Sequence, residues 1–147
     1  MDFSKELSVG NRTLDSEHRK LHSIINEINR LIVAKNVAAL LVAFEVLENN
    51  LRSYFSVKED FAHAVNVDLT QHKQAHQNLL NKFRHIKDEL IEQNGAWPKV
   101  AEKRYLDSLR YGLFQHIKED CKMLKILLET NFYDFKPNKM NSMDARH

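Results

Sequence analysis

Glycine and proline are scarce, with three and two in 147 residues. A many-stranded β fold needs a turn every few residues, so this shortage argues against one. Cys121 is the sole cysteine, which excludes an intramolecular disulfide and a zinc site built on cysteines. No apolar run reaches about 18 residues, so no transmembrane helix is expected. A charge excess of one sign is missing too: 22 basic against 20 acidic residues leave +2. That balance does not suit a nucleic-acid surface. The opening Met1-Asp2-Phe3-Ser4-Lys5-Glu6 lacks the basic-then-apolar order of a secretory signal. A cytoplasmic protein with no membrane or nucleic-acid partner is the expectation.

What is present is helix. Long stretches without Gly or Pro are rich in Leu, Ala, Glu, Lys and Gln. Gly10 and Asn11 close an extended N-terminal arm over residues 1–14. Asn36 interrupts the apolar run after Val33 and Ala34. Thr70 suits an N-cap after the short 66–69 connection. Asn94-Gly95-Ala96-Trp97 is a stop, and Pro98 suits the first turn of a following helix. Helices are therefore expected over about 15–34, 37–65, 70–93 and 98–130. Short connections make successive helices antiparallel, which predicts an all-α, up-down-up-down four-helix bundle. One domain over 1–131 and a polar, loose tail over 132–147 follow.

Each helix carries a 3-4-3-4 stripe of core positions. They read Leu14, His18, Leu21, Ile25, Ile28, Ile32 in the first helix and Leu40, Phe44, Leu47, Leu51, Tyr54, Lys58, Phe61, Val65 in the second. The third reads Leu69, His72, His76, Leu79, Phe83, Ile86, Leu90, and the fourth Leu106, Leu109, Leu113, His116, Asp120, Met123, Leu127. The polar exceptions are His18, Tyr54, Lys58, His72, His76, His116 and Asp120. Buried without compensation, they would cost several kcal/mol. In antiparallel helices they fall at one depth, so one polar layer at one end of the bundle accounts for all of them.

A lone core histidine is ordinarily just hydrogen-bonded. Four stripe histidines at one depth point instead to a metal site. His72/His76 and His116/Asp120 both have the i, i+4 spacing that puts two donors on one helical face. Bundles build such sites from inward side chains on facing helices. His22, His63, His85 and His147 lie off the stripes or in the tail and read as surface residues. Cys121, beside the stripe, reads as a small buried hydrophobe.

The chain resembles the hemerythrin family, its bacterial single-domain members above all, over about residues 3–130. The arm Phe3-Ser4-Lys5-Glu6-Leu7-Ser8-Val9-Gly10 is similar to the family's opening, and Leu14-Asp15-Ser16-Glu17-His18 to its first histidine motif. His72-Lys73-Gln74-Ala75-His76 and Leu113-Phe114-Gln115-His116-Ile117 match its third- and fourth-helix motifs. The resemblance implies two non-haem irons inside the bundle and reversible O2 binding. It gives His72, His76 and His116 to one iron and His18 to the other.

The departures fall on the second iron. Tyr54 stands for a ligand histidine and Lys58 for a bridging glutamate, while Glu59 keeps only the neighbouring acidic position. Cys121 holds the place of the family's aspartate, and Asp120 comes one residue early, closer to the His116 face. Gly112 replaces a tryptophan and is expected to leave space beside the site, next to Leu113. An ammonium in place of a bridging carboxylate repels a dication. Lys58 is expected to stand in for a missing cation, pairing with Asp120 and bonded by Tyr54.

Three arrangements follow. One metal, iron or zinc, sits on His72, His76 and His116 with His18 or Asp120, and Tyr54, Lys58, Gly112 and Leu113 border the bound group. Alternatively the bundle is metal-free and held by a polar network. In the third, two metals survive through Glu59 or a shifted second helix. The leading functional expectation is a non-haem metal protein that binds or senses O2 or NO. No nucleophile–base pair stands out, so no enzyme is expected. The rival is a metal-free signalling or interaction module with a protein partner.

Overall fold

The computed structural model describes residues 12–64 and 70–131. Residues 1–11 of the expected arm, the 66–69 connection, the tail from 132 and the side chains of Val65, Leu69 and Leu127 lie outside the described part, while residues 12–14 of that arm are helical. Four helices make up the fold: α1 (Arg12–Ala34), α2 (Val37–Ala64), α3 (Thr70–Gln93) and α4 (Lys99–Asn131). No strand occurs among the described residues. Packing runs α1 on α2, α2 on α3, α3 on α4 and α4 back on α1, which closes a four-helix bundle. No described helix is long and apolar enough to cross a membrane.

The helix ends follow local chemistry. α1 starts one turn earlier than expected, at Arg12, because no breaker stands between Asn11 and Leu14. It stops at a two-residue turn in which Lys35 N–H bonds the Ile32 carbonyl and Asn36 N–H the Leu31 carbonyl. This is a Schellman pattern, and its left-handed position is Lys35, at φ 56°, where glycine is usual. Lys35 is tied down elsewhere: its Nζ donates to the Trp97 carbonyl at 2.7 Å and lies over the Trp97 ring. Asn36 then caps α2. Its Oδ1 accepts from Ala39 N–H at 3.1 Å, and its carbonyl takes the first helical bond from Leu40. α3 ends at Asn94 and Gly95, both at positive φ, and the Pro98 carbonyl accepts from Glu102 to open α4.

The stripes of α1, α2 and α3 bury as expected, His72 excepted, from Leu14 to Ile32, Leu40 to Phe61 and His76 to Leu90. α4 departs. Leu109 and Leu113 are fully buried, but beyond them the core line passes through Ile117, Cys121 and Leu124. His116, Leu106 and Met123 are only partly buried. The stripe runs one residue off because Asp120 and Cys121 both turn inward, where a strict 3-4 pattern admits one of them. Cys121 is a buried thiol.

Asn29 is 3% exposed, and neither atom of its amide finds a partner among the described residues. An apolar side chain of the same shape removes that unpaired polar group, so Asn29→Leu is expected to raise stability by about 1–3 kcal/mol. Asn36→Ala removes the cap of α2 and is expected to lower stability by about 1 kcal/mol, with Asn36→Ser near wild type. Urea unfolding followed by circular dichroism checks both.

Candidate functional site

The polar layer exists. Residues early in α1 and α3 meet residues late in α2 and α4: His18, Tyr54, Lys58, His76 and Asp120 are all buried, and His116 is nearly so. Among these, His76, His116 and Asp120 bring one donor atom each to within 4.8 Å of one another. His18 and His72, both expected as ligands, are not part of that group. His72 is half-buried and lies one turn before His76 on α3.

The centre of the group belongs to Lys58. Its Nζ is 2.5 Å from His76 Nε2, in contact with Asp120 Oδ2, and 3.5 Å from His116 Nε2. It also lies over the Tyr54 ring, 4.4 Å from the centroid. The ammonium therefore sits among the three donors, as the sequence argument on the missing cation expected. One detail differs. Tyr54 does not bond Lys58; its hydroxyl donates to Asp120 Oδ2 at 2.8 Å. An ammonium has no lone pair, so the tyrosine meets it only with its π face.

Donor and acceptor roles now follow by elimination. Lys58 only donates, so His76 Nε2 accepts and His76 carries its proton on Nδ1. His116 Nε2 is 3.1 Å from Asp120 Oδ2 and donates to it. With its Nε2 proton committed there, His116 takes nothing from Lys58 at 3.5 Å. The Tyr54 proton goes to Asp120, so its oxygen accepts from His18 Nε2 at 2.9 Å. His18 Nδ1 is left as an acceptor, 4.0 Å from Cys121 Sγ. A directed chain thus runs from Cys121 through His18 and Tyr54 to the Asp120 carboxylate, which gathers three donors from two helices, Tyr54 and Lys58 on α2 and His116 on α4.

The charges follow from this packing. Burial works against the Asp120 carboxylate, but the His116 bond and the Lys58 charge outweigh it and hold its pKa below the usual range. Burial pushes the Lys58 pKa down, and the Asp120 charge pulls the other way. Burial, then the Asp120 charge, raises Tyr54 well above the usual phenol value, so it stays a donor. Burial and the Lys58 charge depress His76 to about 3.

The remaining expected residues border this layer without entering it. Leu113 is fully buried in the core. The space expected beside Gly112 is filled: a Cβ there would meet Lys82 Nζ at 3.2 Å and the Phe83 ring at 3.6 Å. The glycine faces α3, and the lysine stem takes the room of the missing indole. Phe55 is a site residue the sequence reading passed over. Its ring stacks on His76 at 3.8 Å with 1° between planes. Its place next to Tyr54, at the edge of the stripe, was the available signal.

Two irons do not fit this set of donors. Among the described residues three come together, and a lysine ammonium stands among them. Comparison with family models, with curated proteins and with solved structures finds no match to the chain.

A folded-state His76 pKa of about 3 against the ordinary 6.5 has a defined consequence. Above both values the imidazole is neutral in either state and costs nothing. As pH falls through the window the unfolded chain takes up a proton that the folded chain refuses, so stability falls. Acid unfolding is expected to show an uptake of about one proton between pH 6.5 and 3 from this group. His76→Gln should flatten that window, measured by denaturant midpoints at several pH values.

Proposed function

We propose that the chain is a hemerythrin-like bundle in which Lys58 takes the place of the metals. Its role is then that of a metal-free signalling or interaction module, not of an oxygen carrier. One observation carries this reading: the Lys58 ammonium among His76, His116 and Asp120. The site needs a positive charge to balance a buried carboxylate, and the lysine supplies it from the chain itself. A divalent ion brought to the same place would meet that ammonium at contact range in a poor dielectric, a repulsion of several kcal/mol. The hemerythrin kinship rests on the motif spacing in α1, α3 and α4 and on the four-helix frame.

A second reading has its own support. The three donor atoms lie within 4.8 Å of one another, and two imidazoles with a carboxylate suit Fe(II) or Zn(II). If Lys58 swings out, His76, His116 and Asp120 would hold one ion. That ion would supply an open coordination position for O2 or NO. Lys58 and a metal exclude each other in this arrangement.

Elemental analysis of protein purified without chelators separates the readings. Substoichiometric iron and zinc in a folded protein is the expected result; about one equivalent per chain supports the single-metal reading and overturns the first. The double change Tyr54→His, Lys58→Glu returns an imidazole and a carboxylate to α2. It is expected to bind iron with the visible absorption of a two-iron centre, read by optical spectroscopy after ferrous loading.

A further inference from the structure

We propose that the groove between α2 and α3 binds a small oxyanion, a carboxylate or a phosphate, through Arg52, Lys73 and the Nδ1–H of His76. The groove encloses about 300 Å³ and is lined by these three residues together with Ser56, Glu59 and Gln77. Its wall is the stacked Phe55–His76 pair.

His76 gives the groove its chemistry. The residue is 4% exposed, and its Nε2 faces inward and accepts from Lys58. Its proton must then sit on Nδ1. No described residue accepts from that Nδ1–H, and the atom is not among the fully enclosed polar atoms without partners. A donor with no protein acceptor, on a residue that lines a groove, is open to an acceptor arriving through the groove. An oxyanion is the acceptor that two cationic side chains select.

Both cations are exposed. Arg52 Nη2 makes only a loose ion pair, 3.7 Å from Glu48 Oε2, while Arg84 holds the other oxygen, Oε1, at 2.6 Å. Lys73 is exposed and makes no ion pair among the described residues. Ser56 and Gln77 offer further hydrogen-bond donors from the two helices. Glu59 is the acid among the lining residues, so it sets a sign test: neutralising it must strengthen anion binding and would weaken cation binding.

The inference is independent of what occupies the centre of the bundle. A lysine donating to His76 Nε2 and a metal bound to it both leave the proton on Nδ1. Binding at Nδ1–H would also make Nε2 a better acceptor, so the groove communicates with the buried layer through one imidazole.

The test is a titration of the full chain with inorganic phosphate and, separately, acetate. Ionic strength is held constant with sodium chloride, and the His76 ring nitrogens are followed by 15N NMR. Saturable movement of the Nδ1 signal is expected with one or both probes, and the tighter probe identifies the headgroup. Arg52→Gln with Lys73→Gln should weaken that binding about tenfold or more, and Glu59→Gln should tighten it. All three side chains are exposed, so these variants leave the fold intact, which the dispersed spectrum verifies. No saturable shift with either probe, an undiminished shift in the double variant, or weaker binding in Glu59→Gln each overturns the proposal.

Discussion

The structure depends on the pairing of Lys58 with Asp120 inside the bundle. Both are almost fully buried, at 1% and 2% exposure. Alone, either charge would be costly there, and removing one partner of such a pair typically costs about 3–5 kcal/mol. Together they form a neutral unit that the other polar residues surround. Asp120 takes donors from Lys58 and Tyr54 on α2 and from His116 on α4. Lys58 takes an acceptor from His76 on α3. Tyr54 takes a donor from His18 on α1. Each helix contributes one or more members, so the layer fixes the depth at which the four helices meet.

The apolar stripes could not do this alone. Leucine and isoleucine stripes tolerate sliding by a turn, since one branched side chain replaces another. A polar layer does not, because a shift of one turn leaves donors and acceptors unpaired in a dry interior. The other end of the bundle is held by different means. There Lys35 bonds the Trp97 carbonyl, and a Cβ added at Gly95 would meet Lys35 at 3.9 Å. The polar layer and this joint clamp the two ends, and the aliphatic core fills the length between them.

On the metal-free reading proposed above, a lysine does the work that an ion does in a metal site. In a metal site the ion neutralises the ligands and orients their lone pairs. A lysine ammonium does both on a smaller scale: it carries one charge and donates along three directions. It also comes attached to the chain and needs no supply. What it lacks is an open coordination position, so on the proposed reading the interior serves structure. The proposed oxyanion groove lies where the buried layer reaches the surface, at His76 between α2 and α3.

Much of the frame was legible in the residues. The apolar spacing in α1, α2 and α3 locates their buried faces, because a 3-4 period maps directly onto one side of a helix. The polar exceptions at one depth announced an internal layer, and Lys58 as its cation followed from a lysine standing where the resemblance implies a bridging carboxylate. Other features needed three dimensions. Asp120 and Cys121 are neighbours that both point inward, which no single-helix period resolves. His72 fits the pattern yet stays out of the donor group, since whether a first-turn side chain reaches the centre depends on the local tilt of α3. The hollow expected beside Gly112 was closed by Lys82 from another helix, a residue with no mark in the local sequence. The direction of each hydrogen bond, and so the outward proton of His76, emerged only from the distances. A sequence determines which side chains are too polar to be buried alone; only the packed fold decides which of them become partners.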